Sequence, residues 1–318
     1  MIRADENYGL KQLHGLKWGI YKFVNGGNQV RTREFGGDVE RLKDQDLSLV
    51  TNKDRLIIMG NIWVHPEAME QTRFRHPDLI SKIGCEAYYW DNPQLPHLLY
   101  QGEWNPQGYK NWMRLVKGNA ATQTTKDSLS YYKKTGPGTG AYRINKQLES
   151  LTNGKYTTWQ SIVGPRRECK IRSNKALLCP SGAGIFENYY GLNKRQWIQN
   201  KTKELTEKGW QVILRDKPTR SARETTTHGR LYQRLITDNI GITVSLHSVA
   251  PVESLLVGVP ALVEGRHAGG DCATNYDEYL KTGNILLPSQ EKVEGWVNCL
   301  LEETYHKTEV YKGEWNAI

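Results

Sequence analysis

The stretch from Ile242 to Asp271, ITVSLHSVAPVESLLVGVPALVEGRHAGGD, restricts the fold more than any other part of the chain. Ile242-Thr243-Val244 is a β-branched run of the kind that forms a buried strand. Pro251 follows a polar turn, and a helix tolerates proline only in its first turn, so a helix is predicted there with Ser248 as N-cap. Leu255 and Leu256 give that helix an apolar face. Gly258 supplies its stop, and Pro260 forbids continuation. Ala261-Leu262-Val263 then reads as a second strand. Strand, turn, short helix, strand is the parallel crossover of an open α/β sheet. Such sheets bind ligands at the carboxyl ends of their strands, where helix amides would meet His247, Ser248 and Glu253.

The same alternation runs upstream. Ala176 to Cys179 reads as a strand, and Pro180-Ser181-Gly182-Ala183-Gly184 as a tight turn. Small residues there let backbone approach a phosphate, although such turns are common. Lys194 to Lys208 is an amphipathic helix, with Ile198 and Leu205 on one face, Glu204 paired to Lys208, and Gly209 as its stop. Trp210 to Leu214 is the next strand, and it delivers Arg215 and Lys217. Two cations at a strand end would neutralise a diphosphate; a surface Arg215–Asp216 pair is the plainer alternative. A helix around Leu231 to Ile236 leads into the Ile242 strand, completing one Rossmann-like half-sheet. Neither a Gly-x-Gly-x-x-Gly fingerprint nor a Gly-x-x-x-x-Gly-Lys-Ser/Thr loop occurs. NAD dehydrogenases and P-loop NTPases are therefore disfavoured.

The first half is less informative. Leu56 to Met59 and Cys85 to Trp90 read as strands, and His65 to Met69 as a short helix. Asp91 falls at a strand's carboxyl end, where a carboxylate can act as general base, although an Asp before Asn-Pro more often caps a turn. Asp38, in the turn FGGD, is the second candidate base. Thr135 to Gly140 reads as a hinge or mobile loop. A boundary near Gly164-Pro165 divides the chain into 1–164 and 165–318, with a last helix, Glu291 to Tyr305, packing back across it.

The net charge is +9, with a pI near 9.1, which points to a polyanionic partner. Lys110, Arg114, Lys117, Lys133, Lys134 and Arg143 cluster with Trp104, Tyr109, Trp112, Tyr131, Tyr132 and Tyr142. Cations that hold phosphates beside rings that stack on bases suit nucleic acid, DNA in particular. A solvated basic face with core aromatics is the alternative. The five cysteines lack CxxC spacing, which argues for a reducing cytosol and against zinc. No run approaches the length of a membrane span, and MIRADENYGL lacks the apolar core of a signal peptide.

SLHSVAPVESLLVGVPALV resembles the sugar-nucleotide motif of GT-B-fold glycosyltransferases. In order, AYRIN (Ala141–Asn145), LLCPSGAG (Leu177–Gly184), YGLNKRQWI (Tyr190–Ile198), ILRDKP (Ile213–Pro218) and the Ser248–Pro260 helix resemble bacteriophage glycosyltransferase-like proteins. The tail, LLEETYHKTEVYKGEWNAI, has the same look, and the match covers about residues 140–318.

That resemblance implies two Rossmann-like domains facing a cleft, with a nucleotide-sugar donor, a UDP-sugar, on the C-terminal one. Glu253 would hold the ribose hydroxyls. His247, Ser248, Ser181, Gly182 and the first-turn amides would face the diphosphate, with Arg215 and Lys217 adding charge. His267 would contact donor or acceptor, unless it is a buried turn histidine. No metal is implied. The N-terminal domain, whose first 140 residues match poorly, would bring the acceptor and the base, Asp91 or Asp38. The basic segment makes phage DNA the expected acceptor, through the hydroxymethyl group of a flipped pyrimidine such as 5-hydroxymethylcytosine. A nucleic-acid-binding module without activity and a transferase for polysaccharide or small acceptors are the competing expectations.

Overall fold

The computed structural model describes residues 20–23, 39–41, 55–59, 86–91, 112–117, 130, 133, 138–151, 153–155, 157–159, 167–215, 231–265, 267–306 and 309. The chain divides into two compact units. One comprises Met1–Pro93, Leu98–Ala120 and Glu302–Ile318; the other comprises Gln94–His97 and Ala121–Leu301. The sequence division at 164–165 is thus drawn differently by the packing, which gives 121–301 to the second unit and returns 302–318 to the first.

The first unit holds a mixed six-stranded sheet. Its strands are β1 (Ile20–Phe23), β2 (Val39–Arg41), β3 (Arg55–Met59), β4 (Glu86–Asp91), β5 (Trp112–Lys117) and β11 (Thr304–His306), in the order β11-β5-β4-β3-β1-β2. β3 and β4 run parallel, and the other pairs are antiparallel. Arg114 of β5 is fully buried, and its guanidinium meets Glu303 at 2.5 Å and 2.6 Å.

The second unit is built on a five-stranded sheet: β6 (Lys175–Cys179), β7 (Gln211–Leu214), β8 (Ile242–Leu246), β9 (Ala261–Glu264) and β10 (Thr274–Asn275). All its pairings are parallel, in the order β10-β9-β8-β6-β7. Its helices are α1 (Gly138–Leu151), α2 (Ala183–Tyr190), α3 (Lys194–Glu207), α4 (Leu231–Thr237), α5 (Ala250–Leu256), α6 (Tyr276–Thr282) and α7 (Gln290–Glu302). Side chains alternate across β6. Ala176 and Leu178 pack with Phe186, Trp197, Leu205, Tyr276 and Tyr279, whereas Leu177 and Cys179 pack with Leu231, Leu235, Ala250 and Val257. Helices α2, α3 and α6 thus cover one face, and α4 and α5 the other. Burial on both faces is why Ala176–Cys179 of β6 and Ala261–Val263 of β9 read as short apolar runs.

Strand order reverses at β6: the chain steps from β6 outward to β7, then crosses back to β8 and continues to β10. The switch point therefore lies between β6 and β8, and in open α/β sheets the ligand crevice forms beyond the carboxyl ends there.

Several sequence expectations change in detail. The segment read as a hinge is partly helical, because α1 begins at Gly138. Ala141, Ile144 and Leu148 are buried at helical spacing, and their packing carries the helix back through the glycines. Glu204 pairs with Lys201 at 3.0 Å rather than with Lys208, whose ammonium lies over the Tyr279 ring. The last helix stops at Glu302, because Thr304 to His306 pair with β5 and Glu303 meets Arg114. Helix α5 begins one residue later than predicted, with Val249 as N-cap. Gly258 does end it, at φ +73°, where a Cβ would collide with the backbone oxygens of Arg167 and Glu168.

Candidate functional site

The carboxyl edge of the parallel sheet gathers the loops after β6, β7, β8 and β9. Ser181 follows β6, and its buried hydroxyl donates to the backbone oxygens of Leu246 at 2.7 Å and His247 at 2.5 Å. It ties the β6 and β8 loops together across the switch point. The hydroxyl expected to contact a phosphate thus has its proton between two carbonyls.

Gly182 is the N-cap of α2 and brings no side chain, and Ala183 and Gly184 after it are exposed. Arg215 follows β7, where its amide donates to Leu178 O at 2.9 Å. Its charge reaches Cys179, the last residue of β6, whose thiol burial pushes up to about 12. Arg215 and the start of α2 thus stand on adjacent strands at the same edge. Lys217 lies outside the described residues.

The start of α5 departs from expectation. Its first-turn amides already have acceptors: Ala250 N–H donates to Ser248 Oγ at 3.2 Å, and Val252 N–H to Val249 O at 3.0 Å. Glu253 N–H reaches the same Val249 oxygen at 3.4 Å, and Pro251 has no N–H. The amides predicted to face the diphosphate are therefore engaged inside the turn, and so is Ser248. Glu253 itself is half-buried in the first turn of α5.

His247 is held in the left-handed region at φ +46° and is half-exposed. Its Nδ1 lies 2.8 Å from the hydroxyl of Tyr190, at the end of α2, with the rings edge to face at 5.7 Å. Gly265, after β9, is what makes room for that tyrosine. A Cβ at Gly265 would come within 2.5 Å of the Tyr190 ring, and its φ of +69° also favours glycine.

Glu264, the last residue of β9, accepts from Trp197 Nε1 at 2.7 Å and pairs with the buried Lys201 at 3.4 Å. Lys201 also lies 4.1 Å over the Tyr276 ring, so one cation is balanced by two carboxylates and an aromatic face. Burial, and then the nearby Glu204 carboxylate, raise the Tyr276 phenol well above its usual range. Sequence reasoning passed over Tyr190 and Glu264. Their partners lie 57 and 67 residues away, so only the fold brings them in.

His267, in the loop beyond β9, accepts Gly269 N–H on Nδ1 at 3.1 Å, and burial lowers its pKa to about 4. The buried-turn alternative for His267 accounts for both features.

The basic cluster is more divided than its sequence implied. Arg114 is removed from any nucleic-acid surface by complete burial and its pair with Glu303. Arg143 is half-buried and donates to Leu301 O at 3.1 Å. Lys133 is exposed, and so is Tyr142, at 71%. Lys117 lies on β5, whereas Lys110, Lys134 and Asp38 fall outside the described residues. Asp91 is the last residue of β4, in register with Arg114 across the β4–β5 pair.

A cavity of about 560 Å³ opens at the opposite, amino edge of the parallel sheet, lined by Ile171, Asn174, Lys208, Trp210, Tyr279 and Ile285 among others. None of the predicted site residues lines it. Among the described residues no three His, Cys, Asp or Glu side chains converge in a group that could hold a metal ion, and no helix is long and apolar enough to cross a membrane. Cys169, Cys179, Cys272 and Cys299 are buried and outside any disulfide.

No family model and no curated protein matches this chain. Among solved structures it is similar to Thermosulfurimonas dismutans KpsC, a beta Kdo 2,7 transferase, with a TM-score of 0.43 and 14% identity, covering 85% of this chain and 88% of that one.

Proposed function

We propose that the chain is a glycosyltransferase whose nucleotide-sugar donor binds at the carboxyl edge of the five-stranded sheet. The observation that supports this reading is the switch point between β6 and β8, with Gly182, Arg215, His247 and Glu253 on the strand ends and helix starts around it. An exposed, side-chain-free start to α2 beside Arg215 suits a diphosphate, and Glu253 suits the ribose hydroxyls.

In the transfer, an acceptor oxygen attacks the anomeric carbon as the bond from that carbon to the phosphate oxygen breaks. The bonding pair leaves with the nucleotide, and the acceptor proton passes to a base. Arg215 and the α2 amides stabilise the charge that grows on the leaving phosphate. Asp91 is the proposed base. We assign a UDP-sugar as donor and DNA as acceptor, the latter on the strength of the +9 charge and exposed Lys133 beside the aromatic segment. Buried thiols without disulfides suit a cytosolic setting.

A thermal-shift panel of UDP-, GDP-, ADP- and CMP-sugars tests the donor, since a ligand that binds only the folded state raises the melting point. A UDP-selective shift that Glu253→Ala abolishes is the expected result. No shift with any nucleotide sinks the transferase reading. Transfer of labelled sugar onto hydroxymethylated duplex tests the acceptor, and transfer only to saccharides or small alcohols overturns DNA.

A further inference from the structure

The cavity at the amino edge of the parallel sheet has no part in the transferase reading, yet its lining has a definite chemistry. We propose that it is a saccharide-binding site, separate from the transfer site. It takes one pyranoside ring, with the C–H face of the sugar on Trp210 and the hydroxyls on Tyr279, Asn174 and Asn284. The proposal rests on neither the donor nor the acceptor assigned above.

A volume of about 560 Å³ lies within the range of about 300–1,000 Å³ that small-molecule sites occupy. The apolar part is a pair of joined rings. Trp210, half-buried just before β7, donates its indole N–H to the Tyr279 hydroxyl at 2.7 Å. Gly241 leaves room for the indole edge, because a Cβ there would lie 3.2 Å from Cζ3. An indole nitrogen only donates, so the direction of that bond is settled. The Tyr279 oxygen accepts, and its own proton has no acceptor among the described residues, although Tyr279 is only 3% exposed. A buried hydroxyl with an unused donor is a group that a ligand oxygen would satisfy.

The polar groups around the rings are unused as well. Asn174, just before β6, and Asn284, just beyond α6, are exposed, and their side-chain amides make no hydrogen bond among the described residues. An amide both donates and accepts, as a sugar hydroxyl does. Gly209 and Gly283 end α3 and α6 at the rim and keep it open, since a Cβ at either would meet nothing within 4 Å.

Charge separates a sugar from a nucleotide, the other ligand that stacks on tryptophan. Lys208 is the one ionised side chain among the described residues that line the cavity, and its ammonium lies 5.3 Å over the Tyr279 ring. Beside it is the carboxyl end of the 14-residue α3, which carries partial negative charge. A single lysine against a helix carboxyl end is a poor phosphate clamp, whereas a pyranoside brings no phosphate to neutralise.

The Trp210 indole N–H is itself the reporter. Full-length protein labelled with ¹⁵N-tryptophan, with this signal assigned through Trp210→Phe, is titrated with methyl glycosides of glucose, galactose, mannose, N-acetylglucosamine and glucuronic acid, in both anomers. At least one glycoside should shift the signal saturably, with a Kd of about 1–10 mM, as suits a single small ring. Asn174→Ala with Asn284→Ala should weaken that binding at least about tenfold and leave ligand-free melting unchanged, because neither amide supports the fold. Calorimetric titration with and without the two alanines decides the same point independently of the assignment.

No binding by any of these glycosides overturns the proposal, and so does binding that the two alanines leave unchanged. A shift produced by UMP or AMP and by no glycoside makes the cavity a nucleotide site and also overturns it. Glu253→Ala, at the opposite edge, should leave the glycoside shift as it is; its loss there would put the sugar at the carboxyl edge instead.

Discussion

Two clusters of charge at strand positions invite comparison: Arg114 with Glu303 in the six-stranded sheet, and the carboxyl edge of the parallel sheet. In sequence the first looked functional, an arginine in a run of cations and aromatics. In the structure it is a closed pair with side chains 0% and 4% exposed, each partner neutralising the other. At the second, Arg215, His247, Glu253 and Glu264 are all half-buried, at the ends of three strands and in the first turn of α5, around a point where chain order reverses. A pair buried to this depth is out of a ligand's reach, whereas half-buried groups held from several elements can still meet one. Density of charge in a sequence thus says little about which charges the fold leaves within a ligand's reach.

The sharpest way to break this contrast is to remove one member of the closed pair. Arg114→Ala leaves Glu303 buried without its cation and should cost about 3–5 kcal/mol in chemical denaturation. Arg114→Met combined with Glu303→Leu should recover most of that. A single variant as stable as the native protein would mean that the pair is open to water after all. At the other cluster the effect should fall on ligand rather than on fold. Glu253→Ala should weaken nucleotide binding by roughly tenfold to a hundredfold, the measure of a lost hydrogen bond to a charged group, with little change in ligand-free melting. Calorimetry checks the first number and thermal melting the second.

His267 provides a smaller effect that belongs to neither cluster. Its folded pKa of about 4 lies below the ordinary histidine value of about 6.5, so the unfolded chain binds the extra proton first. Stability should therefore be intact above about pH 6.5 and fall as pH drops toward about 4, by roughly 1–2 kcal/mol at pH about 5. His267→Gln should flatten that part of the melting-temperature profile, and an unchanged slope would count against it. The smallest effect concerns the basic segment. Lys133→Glu should leave stability unchanged and lower the salt slope of DNA binding by about one to two; no change would take Lys133 out of the acceptor surface.

Much of the parallel sheet was legible because its strands are buried on both faces. Ala176 to Cys179 shows as an apolar run and Ile242 to Val244 as a β-branched one, and Pro251 and Gly258 mark where α5 lies. Burial depth was not legible. Arg114 reads as surface until β11 brings Glu303 to it. Nor was the use of donors: Ser181 and the α5 amides fit a phosphate by residue type, yet their protons go to nearby oxygens that only the folded turn supplies. Tyr190 escaped notice because nothing local links it to His247. The glycines from 138 to 140 misled in the other direction, since the buried face of α1 outweighs their low helix propensity.

The return of β11 to the first unit also has a consequence for biosynthesis. Arg114 and Glu303 are 189 residues apart, and every strand of the parallel sheet is translated between them. At ordinary elongation speeds of about 5–20 residues per second, roughly ten to forty seconds separate the emergence of β5 from that of its antiparallel neighbour. Throughout that interval the ribosome-bound chain carries β5 without β11 beside it and an arginine without its carboxylate, and before the interval ends the later unit has all five of its strands. The unit encoded first is therefore the last to be completed, and a nascent chain stalled before residue 303 would expose an unfinished sheet to chaperones.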